Sequence, residues 1–317
     1  MHKRACDNGP VEGAQPSRPD RATLLAFGAL VLLVGSNLVA IRFNNRELAP
    51  LWGAAVRFAM AAVIFAAIVT ARRLPIPKGR ALAGAAVYGL LGFAGFFAFL
   101  YLGLVRAPAA LGQIVLALVP LLTMLFAVVI GLERFRWRAP VGAIVSMAGI
   151  AIVFGGQVRA DVPLVSLLAL IAAAVCFAAT GILVKRLPPA DPVATNAIAT
   201  TVGAVVLLTL SVIAGEPWAI PVQGATWAAL AYLVTLGTVV VFLLFLFTVK
   251  RWRASSVSYQ FVLAPFVAVS LESALAGEAI TPIFAVGAVL VLAGVVFGAL
   301  ITGQPDLRPI APTGISK

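Results

Sequence analysis

The sequence predicts an all-α integral membrane protein with ten transmembrane helices, arranged as two inverted five-helix repeats. Three observations lead to this fold class. Of the 317 residues, 62% are hydrophobic and only 11% are charged, and the mean hydropathy is +1.09. Apolar runs of about 20 residues, the length that crosses a bilayer, follow one another with short gaps. In addition, one block of the sequence occurs twice without an insertion.

The apolar runs define ten helices between two polar tails, residues 1–21 and 303–317, which are predicted to be disordered. Gly and Ala are frequent inside the runs, as expected where transmembrane helices pack closely. The first run is too long for the core of a signal peptide, so it is predicted to be the first membrane helix. The predicted spans are residues 22–41, 49–71, 81–104, 107–131, 138–156, 163–184, 192–214, 224–248, 254–276 and 281–302.

The basic residues predict the orientation of these helices. Most of the 23 Lys and Arg fall in the tails and in alternate gaps, whereas the opposite gaps contain only Arg42, Arg46, Arg106 and Arg159. Cytoplasmic loops carry such an excess of positive charge. Both termini are therefore predicted to be cytoplasmic. The formal net charge of +12 is interpreted as this orientation signal and not as a nucleic-acid-binding surface.

The repeat divides the chain into two halves, residues 22–156 and 163–302. Each half has five helices, so the second half enters the membrane from the opposite side and the copies are inverted. Inverted repeats are typical of carriers that work by alternating access. The paired positions, all at one constant offset, are Gly92 and Gly237, Arg106 and Arg251, Pro120 and Pro265, Glu133 and Glu278, Gly142 and Gly287, and Gly149 and Gly294.

These features resemble the ten-helix EamA-type members of the drug/metabolite transporter superfamily. The resemblance lies in Gly35–Asn37 of the first helix, in Pro50 followed by Arg57 of the second, and in the doubled block that starts at Pro120. It implies a central cavity between the halves and export of small metabolites, often amino acids. The second half departs from the pattern, because Ala199 stands where a partner of Arg57 is expected.

Two charged residues inside predicted helices are candidates for coupling or for substrate binding. Glu272 shares a helix face with Ser258 and Pro265. An acid at membrane depth faces a cavity, pairs or takes a proton, so Glu272 either couples protons to export, holds a substrate ammonium, or lies near the outer surface. Arg57 lies about two turns into its helix. It either snorkels to the outer surface or binds a substrate carboxylate or a facing carbonyl.

Two prolines and two glutamates mark the repeated block. Pro120 and Pro265 lie in the middle of their predicted helices, where each removes a backbone hydrogen bond. They are predicted to be either paired hinges or static kinks. Glu133 and Glu278 end these helices and are interpreted as solvated caps.

Eight uncharged polar residues at membrane depth are candidates to bind the substrate. The alternative is that they only form hydrogen bonds between helices. Asn and Gln both donate and accept, which suits amino-acid-like substrates. The candidates are Asn37, Tyr88, Gln113, Thr180, Tyr232, Ser258, Tyr259 and Gln260.

Other classes of protein fit the sequence less well. His2 is the only histidine, which argues against a His-based metal site and a Ser-His-Asp triad. No cofactor, metal or catalytic residue is expected. The predicted function is a secondary transporter that exports small amphipathic metabolites across a bacterial inner membrane, with protons as candidate coupling ions. An uptake carrier of the same fold and a non-transporting membrane sensor stay open as alternatives, as do monomer and homodimer.

Overall fold

The computed structural model describes residues 19–104, 106, 112, 115–154, 163–276 and 282–300. The predicted tails lie outside these ranges except for residues 19–21. Within the described residues the chain is helical and has no strand. The helices, numbered in chain order, are α1 (Arg21–Asn44), α2 (Pro50–Ala71), α3 (Arg80–Gly89, Leu90–Gly95 and Phe96–Leu104), α4 (Val119–Val129), α5 (Arg138–Phe154), α6 (Leu164–Arg186), α7 (Pro192–Ile213), α8 (Gly224–Val234, Thr235–Val240 and Val241–Arg251), α9 (Ala254–Val257 and Gln260–Ala276) and α10 (Pro282–Val295 and Val296–Leu300).

The lengths and surfaces of these helices fit a membrane. Helices α1, α2, α3, α6, α7 and α8 are long and apolar enough to cross a bilayer, and α4, α5, α9 and α10 are shorter apolar helices. Large apolar side chains such as Leu25, Val63 and Val165 are 75%, 69% and 78% exposed. Water would disfavour such a surface, whereas lipid solvates it. The predicted all-α membrane fold is confirmed.

Several helix ends follow from local chemistry. The Asp20 carboxylate accepts a hydrogen bond of 2.9 Å from the Thr23 amide and so caps α1. Hydrogen bonds from the Thr23 side chain and from its amide lower the pKa of this carboxyl. Asp191 caps α7 in the same way, and Pro192 begins that helix. Pro120 lies at the start of α4, directly after a turn at residues 117–118 that separates it from helical residues 115–116. The predicted span is therefore interrupted beside this proline and is not one continuous helix through it.

Equivalent helices of the two halves pack as antiparallel pairs. In the α5–α10 pair, Gly142 lies against Gly294 whereas Gly149 lies against Gly287. Ser146 Oγ donates to the carbonyl of Val291, 145 residues further along the chain, over 3.4 Å. The glycines let the two backbones touch, because a Cβ on Gly142 would lie only 2.5 Å from the Gly294 carbonyl oxygen.

The α2–α7 pair has the same relation. The first backbone amides of α2 bond to Glu216, which follows the end of α7, whereas Val69 near the end of α2 lies beside Ala194 at the start of α7. One further pair of contacts exchanges under the repeat, since α1 packs on α9 and the equivalent helices α6 and α4 pack on each other.

Turns of π-helix interrupt α3 and α8 at equivalent positions, Leu90–Gly95 and Thr235–Val240. After each turn the next amide bonds to a carbonyl five residues back instead of four: Phe96 bonds to Leu91 and Val241 bonds to Leu236. The carbonyls of Gly92 and Gly237 therefore lose the partner that a regular α-helix would give them. Such π-turns frequently occur at functional sites.

Candidate substrate cavity

A cavity lies where α1, α2, α3, α6, α8 and α9 meet, so both halves contribute to its wall. Its volume is about 90 Å³, which is room for a few water molecules and less than the ~300–1,000 Å³ of a usual ligand pocket. The wall is mainly aromatic and contains Phe96, Phe97, Phe177, Phe242, Phe245 and Phe261. The polar side chains that line it are Asn37, Arg57 and Gln260.

The phenylalanines pack on one another across the cavity. The rings of Phe177 and Phe261 are 4.3 Å apart in an edge-to-face arrangement, and those of Phe96 and Phe177 are 5.2 Å apart. These rings come from α3, α6 and α9, so the packing joins the first half to the second. A substrate with an apolar body would separate the rings and replace these contacts with its own.

Arg57 is the charged residue of the cavity. It is only 3% exposed, and its guanidinium points to the π-turn of α8 instead of the surface. Nη2 donates to the Gly237 carbonyl over 2.7 Å, and Nε donates to Thr238 Oγ1 over 2.7 Å. The facing-carbonyl alternative of the sequence analysis is therefore the one observed. The ring of Phe97 lies 5.6 Å from the guanidinium carbon.

Asn37 bonds to the same backbone carbonyl. Its Nδ2 donates to Gly237 over 3.0 Å, and its buried Oδ1 has no hydrogen-bond partner within the described residues. A Cβ at position 237 would overlap Oδ1, so a larger residue there would displace the Asn37 side chain. Gln260 begins the long segment of α9 and is 2% exposed where it lines the cavity.

Most other predicted site residues do not line the cavity and form hydrogen bonds elsewhere, either between helices or within their own helix. Tyr232 bonds to Ser36 over 2.5 Å, and the Tyr88 hydroxyl donates to Asn196 over 3.3 Å. The hydroxyl groups of Thr180, Ser258 and Tyr259 donate to backbone carbonyls. Pro265 is buried inside α9. Gln113, Glu278 and the side chain of Glu272 lie outside the described residues.

Two sets of contacts join the halves at opposite ends of α1. We call the first the Trp252 closure. In it Phe27 packs edge-to-face on Trp252 with the ring centres 5.3 Å apart. Ser255 Oγ donates to Glu133 over 2.6 Å, so Glu133 links two halves and is not simply a solvated cap.

We call the second set the Glu216 closure. The Glu216 carboxylate accepts hydrogen bonds from the backbone amides of Leu51 and Trp52 over 3.1 and 2.8 Å. Trp52 stacks on Trp218 with the ring centres 5.0 Å apart. The cavity residues of α1 lie between the two closures along the helix, and they are Val34, Asn37 and Ile41.

The residues that sequence reasoning missed are Thr238 and the phenylalanines. Thr238 had one signal, since it directly follows the repeated glycine at position 237. The phenylalanines had none, because apolar residues cover every side of these helices. A phenylalanine that faces lipid and one that faces a cavity read alike in the sequence.

An all-helical membrane fold with a buried cavity between two packed halves is the architecture of a membrane transporter. The profile of the EamA-like transporter family matches this chain twice, at residues 21–155 and 164–299. The chain therefore belongs to the EamA-like transporter family. It is a membrane transporter of small molecules, and the family is not one of enzymes.

Similar proteins agree with this assignment. The chain is 29% identical over 275 residues to the uncharacterized inner membrane transporter YedA of Escherichia coli K12, covering 83% of this chain and 87% of YedA. It is 26% identical over 281 residues to the uncharacterized transporter YyaM of Bacillus subtilis 168, covering 86% and 90%. One solved structure, titled only as a crystal structure of a protein, superposes with a TM-score of 0.75 at 23% identity over 90% of this chain and 100% of its own.

Proposed function

We propose that this protein exports small amphipathic metabolites, amino acids or similar compounds, across a bacterial inner membrane. Two inverted repeats, residues 22–156 and 163–302, would do so by alternating access, with both termini in the cytoplasm. The observation that carries the proposal is the cavity, because both halves line it and a buried cation lies at its wall. Substrate sites of repeat-built carriers lie at such an interface between halves.

The antiparallel packing of equivalent helices supports the inverted relation. If the second copy is inverted in the membrane, each helix that packs on its equivalent in the other half must be antiparallel to it. The α5–α10 and α2–α7 pairs are arranged in this way. Two halves with nearly equal interfaces can exchange conformations, and that exchange would open the cavity to the other side.

The two closures supply the gates that this mechanism needs. Each joins one half to the other, and the cavity lies between them. With both closures formed, the cavity is small and its wall is mainly aromatic. We propose that the Trp252 closure opens towards the cytoplasm to admit substrate and that the Glu216 closure opens on the other side to release it.

The coupling ion belongs to the same proposal. Glu272 is the candidate proton carrier because it is an acid at predicted membrane depth, and Pro120 and Pro265 are the candidate hinges because of their equivalent places in the repeated sequence. An acid at membrane depth can take a proton from one side and lose it to the other. The carrier would work as a monomer or as a homodimer, because each chain has its own cavity.

Proteoliposomes test this function. The purified protein would be reconstituted and loaded with radiolabelled amino acids, and efflux would be followed with and without a pH gradient. We expect saturable efflux that a protein-free control lacks. If efflux by the wild type depends on the pH gradient and Glu272→Gln removes that dependence, the result would support proton coupling. The absence of saturable flux in either direction would contradict transport.

A growth assay tests the direction. Cells that overproduce the protein should tolerate toxic amino-acid analogues better than cells with an empty vector, because export lowers the internal concentration. Greater sensitivity would contradict export and indicate an uptake carrier.

A further inference from the structure

The π-turns of α3 and α8 are equivalent in position, but only the turn of α8 binds a charged side chain. The π-turn of α8 presents the Gly237 carbonyl to Arg57 and Asn37. At the π-turn of α3, Gly92 faces Thr180, and Ala199 of α7 packs beside Gly89 just before it. Ala199 is the residue that replaces a second arginine in the repeat, so the charge is confined to one half.

A short chain of hydrogen bonds fixes the orientation of the Arg57 guanidinium. Nε donates to Thr238 Oγ1 over 2.7 Å, and Thr238 Oγ1 donates in turn to the carbonyl of Leu233 over 2.8 Å. Nη2 is held by Gly237, as described above. One edge of the guanidinium is thus bonded to the π-turn. Since Arg has five N–H donors, several remain available for a ligand in the cavity that Arg57 lines.

Among the residues that the structure describes, none neutralises the charge of Arg57. Within the described part of the chain, no carboxylate pairs with Arg57 and no acidic side chain lines the cavity. The groups bonded to Arg57 are a neutral carbonyl and a neutral hydroxyl. A buried cation without an anion is unfavourable, and hydrogen bonds between ions are roughly twice as strong as neutral ones. A ligand with a negative charge is therefore favoured over a neutral or cationic one.

We propose that Arg57 binds the carboxylate of the substrate and that Thr238 positions Arg57 for it, so that the substrate class is an organic acid with an apolar body. The proposal deepens the proposed transport function and rests on it. The carboxylate would bind the cavity edge of the guanidinium while the phenylalanines contact the apolar body. Gly237 and Thr238 would continue to bind the other edge of the guanidinium. When the carrier returns without substrate, these two hydrogen bonds alone would stabilise the Arg57 side chain.

Three probes that share one aromatic ring show which charged group of the substrate the carrier requires. Radiolabelled 3-phenylpropionate has a carboxylate alone, L-phenylalanine has a carboxylate and an ammonium, and phenethylamine has an ammonium alone. In proteoliposomes with the wild-type protein, we expect saturable transport of the first two and not of the amine. Transport of the amine with equal or greater efficiency would overturn the inference while leaving the transport function intact. No transport of any probe would contradict the proposed function, and the inference would fall with it.

Variants at position 238 test the positioning role. Thr238→Val removes the hydroxyl at nearly constant volume, and KM for 3-phenylpropionate should rise about tenfold, as for loss of a hydrogen bond to a charged group, with kcat within about twofold. Thr238→Ser keeps the hydroxyl and should restore the wild-type KM. The matched control is Thr248→Val in the same helix, because Thr248 is also buried but bonds only to the carbonyls of Leu244 and Phe245.

Thr238→Ser and Thr248→Val keep the positioning role testable if Thr238→Val is poorly folded. Equal effects of the valine changes at positions 238 and 248, or a fall in kcat with KM unchanged, would overturn the positioning role. Failure of Thr238→Ser to restore KM would do the same. Arg57→Gln should abolish transport of 3-phenylpropionate, and wild-type KM in that variant would overturn the assignment of Arg57.

Discussion

Replacing Gly142 by alanine should separate α5 from α10 and destabilise the protein. The added Cβ would lie 2.5 Å from the Gly294 carbonyl oxygen, 2.6 Å from Gly298 Cα and 2.7 Å from its backbone nitrogen. All three are backbone atoms, so no side-chain rotation removes the overlap. Since ordinary contacts of this kind begin at 3.4 Å, the helices must move apart by roughly 1 Å locally. The Ser146–Val291 hydrogen bond, already 3.4 Å long, would then break.

The expected magnitude combines two opposing effects. Overpacking of a well-packed interface costs about 1–3 kcal/mol, whereas alanine in place of glycine inside a helix contributes about 0.5–1 kcal/mol of stability. The net destabilisation for Gly142→Ala should therefore be about 1–2 kcal/mol. Gly28 is the matched control, because it lies in α1 with no atom within 4 Å of an added Cβ. Gly28→Ala should be neutral or slightly stabilising.

The assay is thermal unfolding of the purified variants in one detergent, with the wild type measured beside them. Gly294→Ala should behave like Gly142→Ala, since its Cβ would lie 2.6 Å from the Gly142 carbonyl oxygen. The double variant should cost less than the sum of the single changes, because one separation of the helices relieves both overlaps. Equal melting temperatures for the alanine variants at positions 142 and 28 would refute the close α5–α10 contact.

Three further predictions concern residues outside the helices. Glu216→Gln should lower the stability by about 1 kcal/mol, because a neutral amide replaces the charged acceptor of two α2 amides; an unchanged melting temperature would contradict the Glu216 closure. The pKa of Glu47 is lowered below 4.5, chiefly by its bond to Thr226, so this carboxylate stabilises the fold at neutral pH and loses that effect only as the pH falls through its lowered value. Glu47→Gln should therefore leave the pH profile of transport unchanged above about pH 5.5. A shifted profile in that range would contradict the lowered pKa of Glu47. A tag on Lys317 should be protected from protease in intact spheroplasts, and cleavage would contradict the predicted orientation.

The sequence alone predicted the fold well, because membrane helices follow from length and hydropathy and the repeat is visible without a gap. The glycine pairs illustrate this. Gly142 and Gly294 belong to the repeated block, and frequent glycine predicts close packing of transmembrane helices. They meet in the structure because a helix without side chains at those points allows close approach. Which glycines pair across the halves needed the structure.

The site was harder to predict, since it depends on how each helix is rotated about its axis. Asn37 and Tyr232 both read as polar residues at membrane depth, yet Asn37 lines the cavity and Tyr232 bonds to Ser36. The π-turns were not predicted either. Leu90–Gly95 and Thr235–Val240 have ordinary apolar compositions, and the shift in hydrogen bonding is stabilised by side chains such as Arg57 that lie far away in the sequence.

Access to the cavity from each side of the membrane tests the alternating-access account most directly. Ala264 lines the cavity, so a cysteine would be placed there after Cys6 and Cys176 are replaced by alanine. An impermeant thiol reagent would be applied to right-side-out and to inside-out vesicles. We predict labelling from both sides, with rates that change in opposite directions when a transported substrate is added. Labelling from one side only, unaffected by any transported substrate, would contradict alternating access.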